Sequence, residues 1–290
     1  MKKIIVPTDF SNQATFALDL AYEIAKKEGA EITLVHVIEI PKKNTAFLGS
    51  SIDTEATLEG EDPMERVFYL KLIEKREEQF VEILDNPKYK GVTIKEKLVR
   101  GTPYEKIGEL LTDVKADLII MGTTGADSWE ENLIGSTAEK VVRHSKCPVL
   151  TLRNRFHVKD IKRIVLASDF KDDLETYKSV PRTLKNFFNA ELHLVYVNTP
   201  GHFMNEREIM KQMDEFTEDN KLGKIERHIY CHNNAGEGIL NFAEDYKMDL
   251  IMMTTSGERS GIFRLFNHSI AEEIVNHSKK HPVVTLNIHK

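Results

Sequence analysis

The amino-acid sequence predicts an α/β fold written twice along one chain: two tandem five-stranded, mostly parallel sheets, each with helices on both faces. Three observations carry this. The chain has 290 residues, a length that suits two domains of about 100–200 residues each. Short β-branched runs alternate with longer amphipathic stretches, the pattern of right-handed crossovers on a parallel sheet. Four blocks recur in the same order: Ile4–Ser11 with Ile164–Lys171, Ala30–Val37 with Ala190–Val197, Asp117–Met121 with Asp249–Met253, and Pro148–Leu152 with Pro282–Leu286. A duplication explains all four at once.

The elements follow in order. Apolar runs at 3–7, 31–38, 92–99, 117–122 and 148–152 read as strands, several of them buried on both faces. Between the first two, Ala14, Ala17, Leu18, Ala21 and Ile24 fall on one helical face, with Ser11 as N-cap. Pro41 to Pro63 has few apolar residues and no period, so it reads as a long loop with a lid, interface or mobile role. Val67, Leu70, Ile73, Phe80, Val81 and Leu84 mark a helix over 66–84. Gly135 and Ser136 open another, with Ala138, Val141 and Val142 on its apolar face. A short linker around Asn154–Asp160 leads to the second copy, which repeats the pattern from 163 to 288. The domains are therefore expected at 1–154 and 160–290.

Composition narrows the function. Hydrophobic residues make up 41% and charged residues 30% of the chain, ordinary values for a globular protein. The net charge is −6. Up to Asn154 there are 21 Lys+Arg against 26 Asp+Glu, and beyond it 19 against 20. Neither half has the basic surplus of a nucleic-acid binder. Cys147 and Cys231 are too few for a disulfide framework and form no paired zinc motif. The apolar run at the N-terminus stops at Pro7 and Asp9, short of a signal peptide, and no stretch reaches a membrane-spanning length of about 18–20 residues. The expectation is a cytoplasmic protein with no membrane partner.

The chemistry gathers after the strand that ends in Met121. Gly122, Gly125, Gly135 and Ser136 give the spacing G-x2-G-x9-G-S. A glycine at a strand end lets a ligand approach the backbone, so a side chain at Gly122 is expected to meet ligand and not core. Gly135 and Ser136 lie at a helix start, where free N–H groups favour an anion. Asp9 ends the first strand on the same rim and is placed to accept from a ribose hydroxyl. Glycines that serve only as tight turns are the alternative.

This spacing resembles the ATP-binding signature of universal stress proteins. Ile5-Val6-Pro7-Thr8-Asp9-Phe10-Ser11, Leu34-Val35-His36-Val37 and Cys147-Pro148-Val149-Leu150 are similar to that family too, over essentially the whole chain. The resemblance implies the adenine nucleotide α-hydrolase-like, universal stress protein fold. It implies that Pro7, Thr8 and Asp9 line the adenosine side and that the backbone of Val37 meets adenine. Met121 and Gly122 would flank ribose and phosphates, and Gly125, Gly135, Ser136 and Thr137 would hold the phosphates. Mg²⁺ or Mn²⁺ would accompany the triphosphate. The family's way of pairing through last strands implies an intrachain pseudo-dimer, through 149–152 and 283–286, and leaves homodimerisation open.

In the second copy Met253 and Gly257 stand at the places of Met121 and Gly125, and Asp169 at that of Asp9. Thr254 replaces Gly122, Asn267 is set against Gly135 and His268 against Ser136, so this nucleotide loop reads as degenerate. The functional expectation is an ATP-binding, nucleotide-dependent regulator of a stress response, with an unidentified protein partner. A slow ATPase, a nucleotidyl-transfer enzyme and a non-binding scaffold remain as alternatives. No catalytic motif is present, and residues 122–137 contain no Lys or Arg to clamp a transferring phosphate. His36 reads as a satisfied core or rim histidine. His277 with His281 read as a solvated helix end, and His228 with Cys231 and His232 as groups near a strand end, neither set as metal ligands. Trp129, inside the loop, has no assigned role.

Overall fold

The computed structural model describes residues 1–39, 63–123, 135–170, 179–256, 267–278 and 280–288. The first half contains β1 (Lys3–Pro7), α1 (Asn12–Glu28), β2 (Glu31–Ile38), α2 (Pro63–Leu84), β3 (Thr93–Arg100), α3 (Pro103–Val114), β4 (Leu118–Gly122), α4 (Ser136–His144) and β5 (Val149–Leu152). The second contains β6 (Arg163–Ala167), α5 (Val180–Phe188), β7 (Glu191–Asn198), α6 (Glu206–Asp219), β8 (Glu226–Cys231), α7 (Ala235–Asp245), β9 (Leu250–Ser256), α8 (Asn267–His277) and β10 (Val283–Ile288). The expected Pro41–Pro63 loop lies outside the described residues up to 62. Pro63 itself opens α2, a position that needs no N–H donor.

The two expected five-stranded sheets are joined into one ten-stranded sheet, ordered β3-β2-β1-β4-β5-β10-β9-β6-β7-β8. Every neighbouring pair is parallel except β5 with β10, where Val283 faces Thr151, Val284 faces Leu150 and Thr285 faces Val149. The intrachain pairing of the last strands is therefore present. It covers two strand edges that would otherwise expose unpaired backbone groups. Thr151 Oγ1 donates to Val283 O at 3.3 Å, and Thr285 Oγ1 to Val149 O at 3.5 Å, so hydroxyls reinforce the seam from both sides.

Two apolar layers flank the sheet, each continuous across both halves. One runs from Ile4, Leu18 and Ile24 through Leu150 to Leu166, Phe187 and Leu194. The other runs from Ile119 and Val141 to Ile239, Phe242 and Ile274. Ala14, Ala17, Leu18, Ala21 and Ile24 of α1 are all buried, and Ser11 Oγ caps the helix by accepting from Ala14 N at 3.2 Å. α2 departs from its expected face. Val67, Leu70 and Val81 are exposed, while Tyr69 and Phe80 are buried. The inward stripe is 69, 73, 76, 80, at helical four- and three-residue steps, and it carries an arginine, Arg76. Cys147 is buried and its Sγ donates to Ala116 O at 3.3 Å. Burial pushes its thiol pKa up to about 12, which makes it inert packing.

The linker runs down α1. The Arg155 guanidinium lies 5.1 Å from the centre of the Phe16 ring and reaches the buried Asp19 at 3.5 Å. Asp19 also accepts from Tyr89 Oη at 2.8 Å and pairs with Lys88. One turn on, Glu23 takes His157 Nδ1 at 2.6 Å and Val158 N at 2.8 Å. At the last turn of α1, Lys27 donates to Phe187 O of α5. The halves thus meet through the seam, two shared cores and one helix.

Because both apolar layers cross the seam, wild-type protein is expected to unfold in urea in a single transition. Leu150→Ala, at a fully buried seam position, is expected to cost about 2–5 kcal/mol and keep the transition single. Two resolved wild-type transitions would show that the halves fold independently.

Candidate functional site

The site is built on the carboxyl ends of β1 and β4, where the chain reverses its direction of winding across the sheet. Strands that part at such a point leave a crevice. β1 pairs with β4 only at Ile4–Leu118 and Ile5–Ile119, although it pairs with β2 over all five residues to Pro7–Val35. Beyond Ile5 and Ile119 the two strands separate.

One backbone and two side-chain hydrogen bonds tie the turn after β1. Thr8 N extends the ladder by donating to Val35 O at 2.8 Å. Phe10 N donates to Thr8 Oγ1 and Ser11 N to Asp9 Oδ1, each at 3.0 Å. Phe10 sits at φ 65°, a left-handed conformation that costs a non-glycine residue about 1–2 kcal/mol. Packing holds it there: its ring centre is 4.9 Å from that of His36 and 5.3 Å from that of Phe80, with the Arg76 guanidinium at 5.4 Å.

His36 is the satisfied histidine expected from sequence. Its Nδ1 lies 2.7 Å from Thr8 O, so Nδ1 carries the proton it donates. Burial lowers its pKa, opposed by that hydrogen bond, and Arg76 lowers it further. Val37 projects into the opposite layer, against the small cluster of Ile5, Val35 and Leu110. It lies beyond the last β1–β2 pair.

On the facing strand, Met121 is buried and Gly122 half-buried. A Cβ built on Gly122 would stand 2.8 Å from Gln13 Cβ, 3.1 Å from Gln13 C and 3.3 Å from Ala14 N. This corrects the expectation that a side chain there would meet ligand. It would meet the first turn of α1, and the glycine is needed because that helix lies directly over the strand end. Its φ is not left-handed.

Thr123 N donates to Leu152 O at 3.1 Å, and Thr123 O accepts from Gly135 N at 2.7 Å. That bond sets the start of α4, with Gly135 as N-cap and Ser136 as first helical residue. It also occupies the Gly135 N–H, so Gly135 offers no donor to a ligand. The next three N–H groups, of Ser136, Thr137 and Ala138, have no partner among the described residues. Those are the orphan donors of a helix start. Ser136 is exposed and Thr137 half-buried. Of the ten residues picked from sequence, Pro7, Thr8, Asp9, Val37, Met121, Gly122, Gly135, Ser136 and Thr137 all fall at the carboxyl ends of β1, β2 and β4 or at the start of α4. Gly125, like Trp129, lies outside the described residues.

Sequence reasoning missed two cations. Arg153 Nε donates to Thr123 Oγ1 at 3.5 Å. Leu152, just before it, pairs with Gly122, so strand adjacency was the available signal. Arg76 arrives from α2, and no local pattern announces it.

The second half repeats the turn and closes the crevice. Phe170 has φ 55°, its N donates to Ser168 Oγ at 3.1 Å, and its ring packs on Phe216. But β6 pairs with β9 over four residues, Ile164–Leu250 to Ala167–Met253. Past that point Ser168 Oγ and Thr254 Oγ1 are 2.9 Å apart. Thr254 stands where the first half has Gly122. The helix alignment needs one correction. The buried faces are Ala138, Val141 and Val142 in α4 and Ala271, Ile274 and Val275 in α8. Matching them sets His268 against Gly135 and Ser269 against Ser136, so Asn267 is not the counterpart of Gly135.

Among the described residues no three His, Cys, Asp or Glu side chains could hold a metal ion. His277 Nδ1 instead bonds Glu273 O, and His232 Nδ1 bonds Asn234 O. No helix among them is long and apolar enough to cross a membrane.

A doubly wound α/β chain with an open crevice at one switch point and a closed one at the other is a duplicated fold whose two halves differ at the same place. The universal stress protein family model matches residues 1–153 and again 161–286, and the chain belongs to that family. A universal stress protein of Methanocaldococcus jannaschii is 34% identical over 152 residues, covering 52% of this chain and 82% of the relative. Another from the same organism is 32% identical over 159 residues, covering 53% and 96%. A universal stress protein structure from Archaeoglobus fulgidus matches over 98% of both chains with a TM-score of 0.72 at 20% identity, a likeness of fold across both halves.

Two outcomes follow. Gly122→Val is expected to destabilise the free protein by about 1–3 kcal/mol through overpacking against α1, measured by urea unfolding without ligand; an unchanged midpoint would contradict the packing assignment. His36 has a lowered folded pKa, so the unfolded chain binds more protons, and its contribution to stability is lost as pH falls below about 6.5. Stability measured between pH 7 and pH 5 is expected to fall less steeply in His36→Gln than in wild type, by at most about 1.4 kcal/mol per pH unit.

Proposed function

We propose that this chain is an ATP-binding universal stress protein whose first half, 1–154, holds the nucleotide, while the second half, 160–290, keeps the fold with a degenerate loop. The observation that supports this most is the early parting of β1 from β4, set against the longer pairing of β6 with β9. In this reading adenosine lies against Pro7, Thr8 and Asp9, with adenine along the Val37 backbone. Asp9 accepts from the ribose. Met121 and Gly122 flank the sugar and first phosphates.

The phosphates take the N–H groups of Ser136, Thr137 and Ala138, where the positive end of the α4 dipole adds to the attraction. The Ser136 hydroxyl donates as well, and Gly125 completes the loop. The residues fit the group: three donors without a partner among the described residues at one helix start suit an oligoanion, and the turn after β1 is tied by its own hydrogen bonds. Mg²⁺ or Mn²⁺ bound with the triphosphate would supply counter-charge. The chain's own residues bind and orient. The function that follows is a cytoplasmic, nucleotide-dependent regulator of a stress response, arranged as an intrachain pseudo-dimer and acting through a protein partner.

Calorimetry is expected to find one tight ATP per chain; two equal sites would sink the asymmetry. Ser136→Ala removes one hydrogen bond to a charged group, worth about 1.5–3 kcal/mol, and so weakens ATP roughly ten- to hundredfold. Ser269→Ala, at the matching place in the second half, is expected to leave ATP affinity unchanged. Mass analysis of protein purified without added nucleotide separates the readings further: bound ATP favours the regulator, bound ADP a slow ATPase, and neither a scaffold.

A further inference from the structure

The linker, the last turn of α1 and the end of α5 border an open groove of about 650 Å³ lined in part by Lys26, Lys27, Lys159 and Lys162. α1 has 17 residues, so this groove lies about 25 Å along the helix from the β1–β4 crevice. None of the four lysines forms an ion pair with a carboxylate among the described residues. Lys27 caps α5 through Phe187 O, and Lys26 donates to Tyr22 Oη at 3.2 Å. The one carboxylate in the lining, Glu23, is already engaged by His157 and by Val158 N. Four lysines therefore line the groove beside one committed carboxylate, two of them anchored to Tyr22 and Phe187 and two, Lys159 and Lys162, exposed, on a chain whose net charge is −6. Like charges gathered in a concave site repel one another and raise the local concentration of anions.

We propose that this groove binds a small oligophosphate, held across the junction of the two halves. Lys26 and Lys27 come from the first half, Lys159 from the linker, and Lys162 from the residue before β6. A ligand with three or more negative charges would neutralise the cluster and tie α1 to the second half. Four ammonium groups are point-charge donors without the fork geometry of guanidinium, so they suit phosphate oxygens in several orientations. The site is independent of the nucleotide crevice, shares no residue with it, and needs no base.

The test is calorimetry of the full chain with inorganic tripolyphosphate, in wild type, Lys159→Gln/Lys162→Gln and Lys159→Arg/Lys162→Arg. Lys159 and Lys162 are exposed, so both variants are expected to match the wild type in thermal unfolding. Wild type is expected to show saturable binding that weakens as salt is added. The glutamine pair is expected to bind about tenfold more weakly, and the arginine pair to restore the affinity. Absence of saturable binding, or binding undiminished in the glutamine pair, overturns the proposal. Running the same series with ATP separates the sources: if the lysine changes weaken tripolyphosphate alone, the groove takes free oligophosphate, and if they weaken a second, looser ATP event, it takes a nucleotide's phosphate tail.

Discussion

The close approach of α1 to the end of β4 is the contact on which the rest of the molecule is hung. It exists because residue 122 has no side chain: a Cβ would stand 2.8 Å from Gln13. With the first turn of α1 pinned there, Ser11 caps the helix and Asp9 and Thr8 tie the turn leading into it. Further along the same helix, Asp19 and Glu23 hold the linker, and Lys27 reaches α5. One helix therefore positions the crevice at its start, the connection along its length and the second half at its end. A disturbance at Gly122 should be felt in all three.

The two halves share a fold but differ in where the strands part. In the first, β1 and β4 separate after two paired residues; in the second, β6 and β9 stay paired for four, and the Ser168–Thr254 hydroxyls meet beyond them. The cost of opening a parallel pair early is two lost rungs of backbone hydrogen bonds. A ligand that supplies replacement partners offsets that cost; without one, pairing is the lower state. Thr254 fits this account, because a threonine can close the mouth with a hydroxyl and a glycine cannot. The strained phenylalanine is kept in both halves, Phe10 and Phe170, which marks it as a feature of the turn and not of the ligand.

Much of this was legible in the residues. The strands were, because β-branched runs of four to eight residues bounded by polar turns have few other readings. The duplication was legible too, in the repeated blocks, whereas the pairing of Val149–Leu152 with the last strand followed from the family resemblance. Three things were not. The buried face of α2 was misread in part because Val67, Leu70 and Val81 share a helical spacing with each other, and only the fold reveals that Tyr69 joins Phe80 in burial while they are exposed. The role of Gly122 depends on a helix more than a hundred residues earlier in the chain. The one-residue shift that aligns Ser269 with Ser136 needed the buried faces of α4 and α8, because the loop between strand and helix differs in length. Each failure concerns contact between distant segments, which local pattern does not encode.

The central claim is that the free N–H groups at the start of α4, and not their counterparts in α8, receive the phosphates of a nucleotide. Backbone amide NMR of the isotopically labelled chain during titration with magnesium ATP reads those groups individually. The account predicts large downfield shifts at Ser136, Thr137 and Ala138, with smaller changes around Thr8 and Asp9 and none at Ser269, Ile270 and Ala271. Still amides at the start of α4, or equal movement at the start of α8, would contradict it.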